Sequence, residues 1–124
     1  SDDEIEFMTG EKDIKTGVKK LIDEYHIPFI CATMGKNGSM AFFDGHIVEA
    51  APFLRDDTVE TTGAGDTFCA CLLHDVLEHG INDRKDDDVK KMLTFANAAA
   101  SLITTRKGAL RVMPEKGEVE AVIK

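Results

Sequence analysis

The sequence carries no excess of basic charge, no apolar run of membrane-spanning length and no cysteines at disulfide or metal spacing. Lys and Arg number 15 against 23 Asp and Glu, a formal charge of −8. A nucleic-acid binder draws much of its affinity from a basic stripe that neutralises phosphates, so DNA and RNA are disfavoured as partners. Without an apolar stretch of about 18 residues, or a basic start followed by a short apolar segment, neither a membrane span nor a secretory signal is expected, and a cytoplasmic protein fits best. Cys31, Cys69 and Cys71 make neither a C-x-x-C pair nor an even set, which reads as reduced, packed thiols. Cys71 and His74 would meet on a helix, but no further ligands stand at zinc spacing. Repeats and low-complexity tracts are also absent. What remains is 124 residues, 43% of them apolar, enough for one compact domain that buries roughly two thirds of its unfolded surface.

Ser1-Asp2-Asp3-Glu4 has the S-x-x-E form of a capping box and predicts a short helix to about Met8. Asp13 caps a second helix, whose Ile14, Val18, Leu21, Ile22 and Tyr25 share one face and which Pro28 stops. Phe29 to Met34 is almost wholly apolar and of strand length, the pattern of a parallel strand covered on both faces. Met40–Phe43 and Ile47–Ala50 flank Asp44-Gly45, a dipeptide suited to a tight hairpin. A helix is expected from about Gly65 to Glu78, ended by Gly80; its first two turns are apolar nearly all round, which predicts burial. Asn82 to Asp88 reads as a solvated loop with its aspartates favouring the next helix start. Val89, Met92, Leu93, Ala96, Ala100 and Ile103 mark one face of a long helix closed at Arg106 to Ala109, and Glu115 to Ile123 forms a short terminal one.

The stretch Val59-Glu60-Thr61-Thr62-Gly63-Ala64-Gly65-Asp66-Thr67-Phe68 concentrates the chemistry. Glycines that let backbone N–H groups converge, followed at once by a helix N-terminus, suit a phosphate or a developing oxyanion. The plainer reading is that Gly63 and Gly65 permit a tight turn while Asp66 caps a helix, and composition alone favours it. Two features tilt the balance. An apolar helix behind the loop would set Asp66 at the floor of a groove, where desolvation tunes basicity. A second glycine turn, Thr33 to Ser39, follows a strand, where α/β proteins bind nucleotides. Neither a dinucleotide G-x-G-x-x-G, nor a P-loop, nor the H-R-D and D-F-G of protein kinases is present.

Glu60 to Phe68 resembles the D-T-x-G-A-G-D-x-F signature of the ribokinase-like (PfkB) carbohydrate kinases. Thr33-Met34-Gly35-Lys36-Asn37-Gly38, Phe95-Ala96-Asn97-Ala98-Ala99-Ala100 and Thr105-Arg106-Lys107-Gly108-Ala109 are similar to family segments in the same order, and Ser1 to Gly10 resembles the fructokinase-like branch. The resemblance implies an α/β protein with the ribokinase-like three-layer α/β/α fold. Residues 1–124 would form the C-terminal, nucleotide-binding part of the domain, with a small β-hairpin and without the N-terminal sugar-binding and lid part. The implied activity is ATP-dependent phosphorylation of a sugar hydroxyl, the isolated chain being inactive. A non-catalytic nucleotide-binding or self-associating fragment, or a family kinase for a nucleoside or sugar phosphate, are the alternatives. An edge left by absent strands would favour homo-oligomers.

Carried over by position, Asp66 would be the catalytic base, with the backbone of Gly63, Ala64 and Gly65 as anion hole. Ser1, Thr33, Gly35, Lys36, Gly38, Gly65 and Asn97 would bind ATP, and Glu4 would meet hydrated Mg²⁺. In the family a monovalent cation sits beside the anion hole, here near Glu60, Thr62, Ile103, Arg106 and Gly108. Glu60 replaces the signature's first Asp, and its extra methylene displaces the carboxylate by about a bond length, which argues against potassium activation.

Overall fold

The computed structural model describes residues 1–124. Helix α1 spans Asp2–Thr9 and its capping box is formed: Ser1 Oγ accepts from Glu4 N, while Glu4 Oε2 accepts from the Ser1 amine at 2.6 Å and its hydroxyl at 2.9 Å. Gly10 closes the helix in the left-handed region. Helix α2, Ile14–Tyr25, starts on the Asp13 carboxylate, which accepts from Thr16 N at 2.8 Å, a cap worth about 1 kcal/mol. It ends at a left-handed His26, two residues before the expected stop at Pro28.

Strands β1 (Phe29–Thr33), β2 (Ser39–Phe43) and β3 (His46–Ala50) form one sheet in that order. Both pairings are antiparallel, which corrects the parallel reading of β1. Only the short 3₁₀ turn Gly35–Asn37 and its flanks separate β1 from β2, whereas a parallel crossover needs about a dozen residues. An apolar run reports burial on two faces, not the direction of a neighbour. The Asp44-Gly45 hairpin is as expected, with both residues at positive φ, 48° and 74°.

Alternation along the strands divides the core. Ala32, Met40 and Phe42 face α1 and α2 through Ile5, Val18 and Leu21. Ala41, Phe43, Val48 and Ala50 face the other way, toward Phe68 of helix α3 (Ala64–His79) and Val89, Met92, Leu93 and Ala96 of helix α4 (Asp86–Ile103). Helices, sheet and helices thus make three layers. β2 is buried throughout, and each large apolar side chain so enclosed contributes about 1.5–3 kcal/mol. Asp86, Asp87 and Asp88 occupy the first turn of α4, where carboxylates complement the helix dipole. A last helix, α5 (Lys116–Ile123), packs Val119 against Ala98, Ala99 and Leu102.

α3 departs from expectation. Only Thr67 and Phe68 are buried on it; Cys69 and Ala70 are exposed, as are Leu73 at 59% and Leu77 at 86%. Its first two turns are apolar nearly all round, but this chain covers only the side that meets α4 and the sheet. The cysteines follow suit: all three are free thiols, Cys31 and Cys71 half-buried and Cys69 exposed rather than packed. Burial pushes the Cys31 thiol up to about 12 and also raises that of Cys71. No helix is long and apolar enough to cross a membrane.

Candidate functional site

Gly63 is the N-cap of α3, at φ 81°, and offers no side chain to the helix start. Its Cα side is tight: an added Cβ would stand 3.2 Å from Ala109 Cβ and 3.3 Å from Ile103 Cδ1. Of the loop's amides, Ala64 N donates to Thr61 O at 3.2 Å and Thr67 N to Gly63 O at 2.9 Å. Ala64 is thus partly engaged within its own turn, unlike an open anion-hole donor. Gly63, Gly65 and Asp66 have no protein acceptor for theirs. Asp66 lies in the first turn, exposed, and caps nothing; its carboxylate has no hydrogen bond or ion pair with the protein. The groove floor expected around it is absent, because the outer side of α3 has no cover in this chain.

Beside the loop lies a hollow of about 550 Å³. Ser1, Thr33, Gly35, Lys36, Gly38, Gly65 and Asn97 all line it, although they come from four separate stretches of sequence. The carboxyl end of β1 supplies Thr33, the turn after it supplies Gly35, Lys36 and Gly38, and α4 supplies Asn97. Asn97 is nearly buried, its Nδ2 donating to Ala50 O at 3.2 Å and Ala51 O at 3.0 Å, so the amide fastens α4 to the end of β3. Gly63, Asp66, Glu4, Glu60, Thr62, Ile103, Arg106 and Gly108 are not among the lining residues. Glu4 is held by Ser1, whose backbone nitrogen and hydroxyl donate to its carboxylate, and Asp2 and Asp3 border the hollow in its place.

Sequence reading missed the rest of the wall. Pro52, Phe53, Leu54, Arg55 and Thr58 come from an irregular stretch with no motif, Ala100 and Ser101 from α4, and Thr104 from its C-cap. With Asn97 these last three recur every three to four residues on one helix face, a spacing that does identify them. Arg55 is bound to Asp57 at 2.8 and 2.9 Å through two nitrogens, a pairing that raises the guanidinium and lowers the carboxyl. Lys36 has no ion pair and is the free cation on the wall. Nowhere do three His, Cys, Asp or Glu side chains gather as a metal cage.

Among the residues named for a monovalent cation, two pairs are hydrogen-bonded to each other. Glu60 Oε1 accepts from Gly108 N at 2.6 Å, and Ile103 O accepts from Arg106 N at 3.1 Å. Arg106 itself binds Val112 O at 3.0 Å and pairs with Glu118, lowering that carboxyl together with the Glu115 amide. The Glu60 carboxylate thus gives one oxygen to an N–H, while Oε2 has no protein donor.

Three layers, with the hollow between the carboxyl end of β1 and the amino end of α3, make this an α/β domain of the ribokinase-like class. Residues 1–116 match the pfkB family carbohydrate kinases, and the chain belongs to that family. It is 31% identical over 124 residues to a probable fructokinase-2 of Arabidopsis thaliana, covering 100% of this chain and 37% of that protein. Against a fructokinase of Klebsiella pneumoniae it is 34% identical over 122 residues, covering 97% of this chain and 38% of the other. Among solved structures, fructokinase from Vibrio cholerae O395 with fructose, ADP and calcium superposes with a TM-score of 0.83 at 25% identity, covering 99% of this chain and 39% of that one. Arabidopsis thaliana ribokinase complexed with ribose and ATP gives 0.79 at 27% identity, with coverage of 99% and 39%. The chain therefore spans well under half the length of these relatives.

Proposed function

We propose that this chain is the nucleotide side of an ATP-dependent sugar kinase, its hollow taking ATP and the Gly63–Asp66 loop meeting the terminal phosphates. The observation that supports this most is that seven residues which the family resemblance names from four separate stretches of sequence line one 550 Å³ hollow, bordered by a loop with unpaired amides. Phosphoryl transfer asks a protein mainly for alignment and charge stabilisation. The Gly63, Gly65 and Asp66 amides at the α3 N-terminus, with Lys36, would stabilise charge on the phosphoryl oxygens as the bond to the leaving ADP breaks. Asp66 would accept the proton of the sugar hydroxyl as its oxygen bonds to the γ-phosphorus; an exposed carboxylate without protein partners is free to do so. Magnesium would arrive on the nucleotide, offsetting Asp2 and Asp3, since no protein cage stands ready for it. The Glu60–Gly108 contact favours a site that needs no potassium.

The sugar pocket would come from the part of the relatives that this chain does not span. Its place is the bare side of α3, where Ala70, Leu73 and Leu77 continue the line from Asp66 along the helix. A free edge on β1 is equally ready for a strand, from that part or from a second copy.

Calorimetry of the 124-residue chain with ATP and Mg²⁺ tests the reading. Saturable binding with a Kd of about 1 mM or tighter is expected, and tripolyphosphate should bind more weakly because it forgoes the wall of α4. Absence of heat at millimolar ATP would count against the site.

A further inference from the structure

We infer that Glu60 is the positioning residue of the anion-binding loop, a strut that holds the loop's amides in place through the Gly108 N–H. This rests on the nucleotide reading of the site and extends it to a residue that does not line the hollow. The stretch from Ala51 to Thr62 contains neither helix nor strand, so its path is set by what it touches. Its final approach is pinned to the C-terminal turn of α4: Val59 N and Glu60 N both donate to Thr104 O, at 2.8 and 3.2 Å, and Thr58 Oγ1 lies 3.4 Å from Thr104 Oγ1. Beyond these bonds, Gly63 rests on Ile103 and Ala109. The single side-chain hydrogen bond that spans from the loop to the turn carrying Ala109 is Glu60 Oε1 to Gly108 N, at 2.6 Å and across 48 positions of sequence.

The turn needs that bond as much as the loop does. Gly108 sits at φ 115°, a conformation that L side chains rarely adopt, and its amide has no other acceptor. Arg106 ties the same turn to Val112 and to Glu118 of α5. Loop, turn and terminal helix are thereby linked in one series.

Charge alone would argue against a carboxylate here, because a negative group next to an anion-binding loop repels the ligand. Reach explains it. Glu spans the gap, Gln keeps an oxygen acceptor of equal length, and Asp is one methylene too short while retaining the charge. The three substitutions Glu60→Gln, Glu60→Asp and Glu60→Ala therefore separate geometry from electrostatics.

Amide hydrogen exchange of the apo chain and ATP·Mg²⁺ calorimetry, run on wild type and the three variants, test the inference. In Glu60→Asp and Glu60→Ala the Gly108, Val59 and Glu60 amides should exchange at least roughly tenfold faster, and ATP should bind at least roughly tenfold more weakly, as loss of a hydrogen bond that leaves its donor unpaired implies. Glu60→Gln should keep wild-type amide protection and bind ATP at least as tightly as wild type, because the acceptor stays and the repelling charge goes, and exchange within α2 should be unchanged in all three, which a general loss of stability would not allow. Retained Gly108 protection in Glu60→Asp, or faster exchange with unaltered ATP affinity, would overturn the strut while leaving the nucleotide site intact. A wild-type chain with protected Gly108 and no ATP binding would instead overturn the nucleotide reading, and the positioning role with it.

Discussion

Asp66→Asn, placed in a kinase long enough to bind its sugar, should lower kcat by roughly 10²- to 10⁴-fold and leave ATP affinity nearly unchanged. The substitution keeps size and hydrogen-bonding reach but removes the basic oxygen pair. Asp66 is well suited to such a test because its carboxylate holds nothing together: Gly63, not Asp66, is the N-cap of α3, and no protein donor reaches the side chain. The melting temperature should move little, the loss being confined to the favourable interaction of a first-turn carboxylate with the helix dipole, about 0.3–1 kcal/mol. Wild-type turnover in the variant would remove Asp66 from the proton transfer.

Gly38→Ala should be the most destabilising of the glycine substitutions in the nucleotide turn. Gly38 adopts φ 90° and ψ −140°, and a Cβ there would stand 2.2 Å from Ala50 O and 3.1 Å from Pro52 N. Both neighbours are backbone, and Ala50 O also accepts from Asn97, so neither yields without moving β3 away from α4. Backbone strain and the clash together should cost about 2–4 kcal/mol, a fall of roughly 10 °C in Tm. Gly45→Ala is the control: φ is 74° but nothing lies within 4 Å of the added atom, so the cost should be only about 1 kcal/mol. Equal Tm shifts for the two would mean that φ alone matters and that the close approach of the turn to β3 does not.

Much of this architecture is written locally. Ser1-Asp2-Asp3-Glu4, Asp13, Asp44-Gly45 and Gly80 each act within a few residues of themselves, and each does in the structure what its chemistry dictates. Features set by distant parts of the chain were not legible. The run Phe29 to Met34 announces a strand covered on two faces, but the direction of its partner follows from the shortness of the turn after it. The apolar first turns of α3 announce burial, yet this chain covers only the side that carries Thr67 and Phe68. In the site, the glycine turns stand out by residue type, and Asn97 only through the family resemblance. Phe53 to Thr58 do not, since an irregular segment acquires its place from distant contacts: Ser101 Oγ donates to Phe53 O at 2.7 Å, and Thr58, Val59 and Glu60 meet Thr104. Glu60 stood out as a departure from a signature, and the resemblance set it near Gly108; that the two bond directly, across 48 positions of sequence, shows only once α4 has folded back.

The central claim is that ATP phosphates meet the main-chain amides at the start of α3. A nitrogen-15 amide map of the 124-residue chain titrated with ATP and Mg²⁺ tests it directly. Saturable shifts should be largest at Gly63, Gly65 and Asp66, accompanied by Lys36 to Gly38 and the Asn97 to Thr104 face of α4. Shifts that saturate elsewhere while Gly63, Gly65 and Asp66 stay fixed would contradict it.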